Sequence, residues 1–264
     1  MSDLSDALEH ARRTWSAADA GDLDELRAAA ARAPAPRSLT EALSADELAL
    51  IVEPKRATPV RGTFNPELDV ASVVAECERA GASAVSVVTE PRLSNGSIDD
   101  LRAARSACEL TVIARDFVVD LRQVYVLRAA GADALLTPAV AYEGRDDGAE
   151  LLAEIVRAAH GAGMEVVLSV RTDDELEFAL DTDVDVLNID NRDEGGSVDV
   201  ERTFELLADV PVGWPVISES IDAIDKVSRL HRAGVDALLL DEGHIDTGLT
   251  SALAVYATLA LEPE

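Results

Sequence analysis

Lysine is nearly absent from this 264-residue chain, whose 23 basic residues include only two lysines, Lys55 and Lys226. The 51 acidic residues give a formal net charge of −28. Such a field repels nucleic acid and anionic lipid, so we expect neither as a partner. A uniformly acidic, lysine-poor surface indicates a halophilic protein that stays soluble in molar salt, where the Debye length falls to about 3 Å and self-repulsion is screened.

Aromatic residues, cysteines and long apolar runs are also scarce. Aromatics make up 3% of the chain against 48% hydrophobic residues, which predicts an aliphatic core of the kind that fills barrels with layers of branched side chains. Cys77 and Cys108 lack metal-ligand spacing, and the four histidines do not cluster like zinc ligands. No apolar run of about 20 residues and no secretory pattern occurs, which predicts a cytoplasmic protein without a membrane span.

One short phrase recurs along the chain. Arg-Ala-Gly or a close variant precedes apolar runs at 85–88, 135–136 and 238–240, and His-Gly-Ala-Gly precedes 166–168. Each phrase is typical of a helix that ends on a basic residue, followed by a glycine in the left-handed cap and then a buried strand. Strands that are continuously apolar, rather than alternating, indicate a sheet covered on both faces.

Eight strands alternate with eight helices in this pattern. The strands are predicted near 50–54, 84–88, 111–114, 134–138, 165–170, 185–190, 215–218 and 236–241. The helices are predicted near 69–80, 98–107, 121–130, 148–161, 173–181, 199–208, 222–233 and 247–260. This alternation predicts the α/β class and a (β/α)8 TIM barrel. An open doubly wound sheet is disfavoured, because residues 55–59 are not a glycine-rich dinucleotide-binding turn.

A helical N-terminal extension, residues 1–48, is predicted to precede a barrel formed by residues 49–264. Leucine and alanine recur at helical spacing over 4–11 and again over 23–30. The segment from Leu39 to Leu48 predicts one more short helix. The extension could cap the floor of the barrel or line its mouth, and the sequence alone does not choose between them.

Polar residues follow the predicted strands, at the end of the barrel where such folds carry their chemistry. They are Glu53, Lys55, Glu90, Arg115, Asp116, Ser169, Arg171, Asp190, Asn191, Arg192, Ser218, Glu219, Ser220, Asp241 and Glu242. Glu53 and Lys55 lie on the same side of one strand. Lys55 is one of only two lysines in the chain, and its position at a strand end favours a functional role over a structural ion pair. Asp241-Glu242 is interpreted as a solvated loop.

These strand ends resemble those of the indole-3-glycerol phosphate synthase family over residues from about 40 to 255. The family's Glu-x-Lys-x-x-Ser-Pro is similar to residues 53–59, and its Ser-Val-Leu-Thr-Glu with Gly-Ser is similar to residues 86–90 and 96–97. Its Lys-Asp-Phe, Asn-x-Arg and Ser-Glu-Ser-Gly correspond to residues 115–117, 190–192 and 218–221.

The resemblance implies a carboxy-lyase of tryptophan biosynthesis that acts on a small molecule without cofactor or metal. A carboxyphenylamino-deoxyribulose phosphate would close a pyrrole ring and lose carbon dioxide and water. That chemistry needs an acid for the carbonyl oxygen, a base for dehydration and a phosphate cradle. The implied catalytic residues are Glu53, Lys55, Arg115 and Glu219. The implied substrate-binding residues are Thr58, Phe117, Asp190, Arg192 and Ser220.

Several matched positions depart from the family pattern. Arg115 replaces the family's general-acid lysine, and arginine does not readily give up a proton. Ser169 replaces the glutamate assigned as the base, and Asp190 replaces an asparagine. Ile221 replaces a glycine that approaches the phosphate, where a β-branched side chain should crowd the site. Asp241-Glu242 replaces a Gly-Ser pair, which would repel a phosphate unless a cation intervened.

Three hypotheses remain open from the sequence. In the first, the protein is a synthase of this type, with Lys55 as acid and Glu53 or Glu219 as base. In the second, a divergent barrel enzyme acts on another substrate, and its clustered carboxylates bind a divalent cation that bridges a phosphate. In the third, the barrel binds a metabolite without catalysis. A monomer or weak homodimer is expected, because no helix shows a strongly apolar exposed face.

Overall fold

The computed structural model describes residues 3–16, 21–44, 47–193, 195–221, 224–241 and 249–260. Eight parallel strands close into a barrel, each paired with its sequence neighbours, and the last strand pairs with the first. They are β1 (Ala49–Val52), β2 (Ala84–Val88), β3 (Thr111–Arg115), β4 (Ala134–Pro138), β5 (Glu165–Val170), β6 (Val186–Asp190), β7 (Val216–Glu219) and β8 (Ala237–Leu240). The predicted TIM barrel is confirmed, and each predicted strand ends within two residues of an observed one.

Helices precede and surround the barrel. Three come before the first strand: α1 (Asp3–Ser16), α2 (Leu23–Ala31) and α3 (Leu39–Leu43). The others follow the strands: α4 (Val70–Arg79), α5 (Ile98–Ala107), α6 (Leu121–Ala130), α7 (Gly148–Gly161), α8 (Asp173–Leu180), α9 (Glu201–Leu207), α10 (Val227–Ala233) and α11 (Leu249–Ala260). A hairpin of two-residue strands, Ala57–Thr58 and Gly62–Thr63, was not predicted. None of the described helices is long and apolar enough to cross a membrane.

Two predicted helices differ from the observed ones. The helix predicted from Leu39 to Leu48 ends at Leu43, because Ser44 caps it and the chain enters β1 at Ala49; residues 45–46 lie outside the described residues. The helix predicted near 222–233 is a 3-10 turn, Ile224–Lys226, followed by α10. Residues 222–223, and residues 247–248 of the last predicted helix, lie outside the described residues.

The recurring glycine phrase ends helices as predicted. Gly131 after α6 and Gly234 after α10 have φ values of 109° and 104°, in the left-handed region that disfavours side chains. The N–H of each glycine returns to carbonyls of the last helical turn. The chain therefore reverses tightly and enters the next strand three residues after each glycine.

A polar residue immediately before every second strand joins that strand to its predecessor. The backbone N–H of this polar residue donates to the carbonyl of one residue in the preceding strand. Its side-chain oxygen accepts a hydrogen bond from the backbone N–H of that same strand residue. The four pairs are Ser83 with Leu50, Asp133 with Val112, Asp185 with Val166, and Asp236 with Val216. Because these bonds sit at the amino ends of the strands, they hold the barrel together away from the mouth.

The two ends of the N-terminal extension lie at opposite ends of the barrel. Leu39 and Leu43 of α3 pack against the inward-facing side chains at the barrel floor, among them Ile51 and Ile113. The Glu165 carboxylate holds α3 there by accepting hydrogen bonds from Ser38, Leu39 and Thr40. Leu4 of α1, by contrast, lines the cavity at the mouth.

We expect Leu39→Ala to lower the free energy of unfolding by about 2–5 kcal/mol, because Leu39 is fully buried at the floor and its removal leaves a void. Denaturant titration in molar KCl, followed by circular dichroism, measures this change. Val212→Ala is the control, since Val212 is fully exposed. Equal midpoints for the two variants would show that α3 does not stabilise the barrel.

Candidate active site

A cavity of about 430 Å³ opens at the carboxyl ends of the strands. Five basic side chains line it: Lys55, Arg61, Arg115, Arg171 and Arg192. Five acidic side chains line it as well: Glu90, Asp116, Asp190, Asp193 and Glu219. Because the whole chain has a net charge of −28, these equal numbers make the lining of the cavity less negative than the rest of the protein.

The Arg115 guanidinium lies at the centre of the cavity floor, between two buried carboxylates. Its Nη1 is 2.6 Å from Glu219 Oε1 and 3.1 Å from Glu53 Oε2. Burial disfavours the charged guanidinium, but the charges of Glu219 and Glu53 outweigh this effect and raise the pKa of Arg115. Arg115 therefore stays protonated and acts as a fixed positive charge.

Glu53 lies beneath the cavity and binds three donors. Lys55 Nζ is 2.8 Å from its Oε1, and Ser86 Oγ donates to its Oε2 at 2.5 Å, in addition to the contact with Arg115. Burial alone would raise the pKa of Glu53. The charges of Arg115 and Lys55, with the hydrogen bonds from Lys55 and Ser86, lower it below its usual range. Glu53 is therefore held as an anion.

Glu219 shares Arg115 with Glu53, but its pKa is shifted in the opposite direction. Burial raises its pKa, and the negative charges of Asp190 and Glu53 add to the increase, against the smaller opposing effect of Arg115 and Lys55. Its second oxygen, Oε2, accepts a hydrogen bond from Asn188 Nδ2 at 2.7 Å. Two carboxylates on one guanidinium thus differ in proton affinity, a common property of acid–base sites.

A second set of ion pairs forms the rim between β5 and β8. Asp190 pairs with Arg171 Nε at 3.0 Å and accepts hydrogen bonds from the Ser220 hydroxyl and the Arg192 N–H. Arg192 Nη2 reaches across to Asp241 Oδ2 at 2.8 Å.

Asp241 is buried and paired, so its interpretation as part of a solvated loop is wrong. Arg192 is the cation that neutralises it. The reason is its register, since Asp241 lies two residues after Leu239, which faces the barrel interior, and so points into the barrel mouth. Glu242 lies outside the described residues.

The structure brings the nine predicted site residues together. Seven line the cavity: Lys55, Thr58, Arg115, Phe117, Asp190, Arg192 and Glu219. The other two contact members of this group, Glu53 through Lys55 and Arg115, and Ser220 through Asp190. Ser220 has φ of 62°, a left-handed conformation at the turn after β7.

Two departures from the family pattern have structural consequences that differ from expectation. Ile221 is buried in the apolar core around the barrel. The expectation that its side chain crowds the cavity is therefore wrong. Ser169 is buried inside the barrel, where its hydroxyl contacts Asn188 Nδ2 at 2.9 Å. With a serine there, the carboxylates that bind Arg115 are those of Glu53 and Glu219.

Sequence reasoning missed Ser86, Asn188 and Arg61. Ser86 and Asn188 are polar residues within the apolar strands β2 and β6, and both side chains face the barrel interior. Asn188 lies two residues before Asp190 and therefore on the same face of β6. Counting by two from the strand end would have found Asn188. Arg61 lies in the unpredicted hairpin, and no pattern in the sequence marks it.

The carboxylates at the mouth bind donors rather than one another. Glu90 accepts backbone N–H groups from residues 92–94, while Asp190 and Asp241 pair with arginines. Within the described ranges, histidine, cysteine, aspartate and glutamate side chains form no group of three or more that could hold a metal ion. The metal-bridged hypothesis therefore lacks its carboxylate cluster in this part of the chain.

Burial raises the pKa of Asp116, a carboxylate that lines the cavity, towards neutrality. Burial and the neighbouring charge of Glu90 raise its pKa to about 7, although Thr89 Oγ1 donates to its Oδ2 at 2.7 Å and the Phe117 N–H donates to its Oδ1. The phenol of Tyr142 also interacts with the Asp116 carboxylate.

Because the pKa of Asp116 rises from 3.8 to about 7 on folding, its contribution to stability is complete below about pH 4 and is lost as the pH rises through 7. We expect Asp116→Asn to raise the melting temperature relative to the unaltered protein at pH 8, by an amount that shrinks as the pH falls towards 4. Calorimetry across this range measures the effect. Asp193→Asn, an exposed rim position, is the control, and a pH-independent difference would contradict the assignment.

Comparison with known proteins identifies the family. The model of the family "Indole-3-glycerol phosphate synthase" matches residues 6–248. Indole-3-glycerol phosphate synthase from Mycolicibacterium vanbaalenii is 33% identical over 267 residues, covering 98% of this chain and 95% of that protein. The enzyme of the same name from Aromatoleum aromaticum is 34% identical over 250 residues, covering 92% of this chain and 94% of that protein.

Solved structures show the same fold at low sequence identity. The structure of 3-hexulose-6-phosphate synthase from Salmonella typhimurium superposes with a TM-score of 0.63 at 16% identity, covering 81% of this chain and 99% of that one. Thiamine phosphate pyrophosphorylase from Pyrococcus furiosus gives 0.58 at 17% identity, covering 81% and 96%. The likeness to these two proteins concerns the barrel alone. On the family match and the relatives that span nearly its whole length, the chain belongs to the indole-3-glycerol phosphate synthase family.

Proposed function

We propose that this protein is an active indole-3-glycerol phosphate synthase of tryptophan biosynthesis. It would close the pyrrole ring of a carboxyphenylamino-deoxyribulose phosphate with loss of carbon dioxide and water. The observation that carries the proposal is the linked set Lys55–Glu53–Arg115–Glu219 on the floor of the mouth cavity. It combines an ammonium, a fixed cation and two carboxylates of different proton affinity.

The cavity suits the two ends of that substrate. The substrate has a carboxylate and a phosphate, and five of the chain's 23 basic residues line the cavity. Its aromatic ring needs an apolar surface, which Phe117, Leu93, Pro138 and Leu4 supply. Such pockets, with mostly apolar walls and a few fixed polar groups, are typical of small-molecule sites.

Ring closure begins when the ring carbon that bears the carboxylate attacks the ketone carbon. The ketone oxygen then needs a proton, and Lys55 is the candidate donor, because Arg115 cannot readily release one. Carbon dioxide leaves with its bonding electrons returned to the ring. The new hydroxyl takes up a second proton and departs as water, while the methylene carbon beside the nitrogen in the new five-membered ring loses a proton, which leaves the aromatic indole.

Glu219 is the better candidate for the base that removes this last proton. Its raised pKa gives it the higher proton affinity of the two central carboxylates. Glu53, whose pKa is lowered, instead holds Lys55 and Arg115 in place. Thr58, Phe117, Asp190, Arg192 and Ser220 would position the substrate.

We further propose that the protein works in a salt-rich cytoplasm, as a monomer or weak homodimer, with residues 1–48 as an extension of the barrel of residues 49–264. The net charge of −28 supports salt adaptation, because self-repulsion of that size is screened only at high ionic strength. Assays of this protein therefore belong in molar KCl.

Lys55→Met should lower kcat about 10²- to 10⁴-fold, the usual contribution of a general acid. Formation of the indole product from the carboxyphenylamino substrate measures it. Lys226→Met is the matched control, because the only other lysine pairs with Glu201 away from the cavity and should keep full activity. If the unaltered protein shows no turnover, the proposal fails and the non-catalytic hypothesis stands.

Arg115→Lys should retain activity, because an ammonium supplies the same charge between Glu53 and Glu219. Arg115→Gln should lose at least about 10²-fold in kcat/KM and also unfold more readily, since it leaves two buried carboxylates without their shared cation. Steady-state kinetics and thermal melting of both variants test this pair. Full activity in Arg115→Gln would exclude a role for the bridge.

A further inference from the structure

Arg171 differs from the other arginines of the cavity in how its guanidinium is used. It follows β5, lines the cavity and keeps 28% of its side chain exposed. Its Nε pairs with Asp190 at 3.0 Å. Among the described residues, its terminal nitrogens Nη1 and Nη2 meet no protein acceptor, so their N–H groups remain available to a ligand.

The neighbouring guanidiniums are more fully occupied by the protein. Arg192 uses Nη2 for Asp241 and Nη1 for the Gly196 carbonyl. Arg115 is bound between Glu53 and Glu219. Each of these cations is therefore largely neutralised before any substrate enters.

Asp190 fixes the orientation of Arg171 without covering its outer edge. The Asp190 side chain is only 5% exposed and also accepts hydrogen bonds from Ser220 Oγ and the Arg192 N–H, so it cannot readily turn away. The Arg171 N–H donates to Glu175 Oε2 at 2.6 Å, which holds the backbone as well. A guanidinium held at Nε with two free terminal nitrogens matches the geometry of an oxyanion.

The side of the mouth formed by the ends of β7 and β8 has fewer groups that could bind an incoming anion. Asp241 stands after β8, and Arg192 is committed to neutralising it. The Ile221 side chain turns into the core and brings no polar group to the cavity. An anionic substrate therefore needs a cation elsewhere in the cavity.

We infer that Arg171 anchors an oxyanionic group of the substrate through its two terminal nitrogens and is a specificity-determining residue of this site. The inference rests on the proposed function for the identity of the substrate. Phosphate and aromatic carboxylate share the required chemistry, namely two oxygens that accept a pair of parallel N–H donors.

The experiment measures binding of inorganic phosphate and, separately, of 2-aminobenzoate to the intact protein in molar KCl at constant ionic strength. The variants are Arg171→Gln, which removes the charge, and Arg171→Lys, which keeps it without the fork. Arg145→Gln is the control, because Arg145 pairs with Asp147 outside the mouth cavity. Thermal melting establishes that each variant is folded.

We expect Arg171→Gln to weaken binding of one probe about 10- to 100-fold, the value of a charge-assisted hydrogen-bonded pair, with partial recovery in Arg171→Lys. The KM for the carboxyphenylamino substrate should rise by a similar factor while kcat changes little. Arg145→Gln should match the unaltered protein in both measurements.

Loss of phosphate binding alone assigns Arg171 to the phosphate, and loss of aminobenzoate binding alone assigns it to the carboxylate. Unchanged affinity for both probes in Arg171→Gln overturns the inference, whether or not the protein turns over substrate. Arg171-dependent binding in a protein without turnover would retain the anion site and overturn only the proposed function.

Discussion

The mouth of this barrel depends on the Arg115 guanidinium, which extends from the end of β3 and joins two buried carboxylates at the ends of β1 and β7. An ionised carboxylate that loses its partner in such a place costs several kcal/mol, so the pair cannot be kept without its cation. The two carboxylates that share Arg115 differ in proton affinity because Glu53 also binds Lys55 and Ser86, whereas Glu219 is close to the negative charges of Asp190 and Glu53. The groups around one shared cation thereby create an anion and a proton acceptor within one cavity.

The rim follows the same rule of pairing. Asp241, which the sequence predicted to repel a phosphate, binds Arg192, and Asp190 binds Arg171. Both arginines also line the cavity. A chain of net charge −28 thus presents a mouth whose acidic and basic side chains balance. The excess of negative charge therefore lies outside the mouth.

The fold was predictable because its signals are local. A basic residue, a glycine and an aspartate before an apolar run specify a helix end, a tight reversal and a strand start within a few residues. The aspartates of that phrase, Asp133 and Asp236, also bond the preceding strand, as Asp185 does before β6. The errors occurred where local signals are weak, as in α3, which ends at Leu43 because the next strand must begin at the barrel floor.

The sequence by itself determined the barrel and its strand ends, because their signals are local, and its resemblance to one family indicated the nine candidate site residues. Only the tertiary structure decided what those side chains meet. Asp241 finds Arg192, Ile221 turns into the core, and Arg171 keeps two nitrogens open. Proton affinity belongs to the same level, because it depends on burial and on charges that other strands bring within a few ångströms.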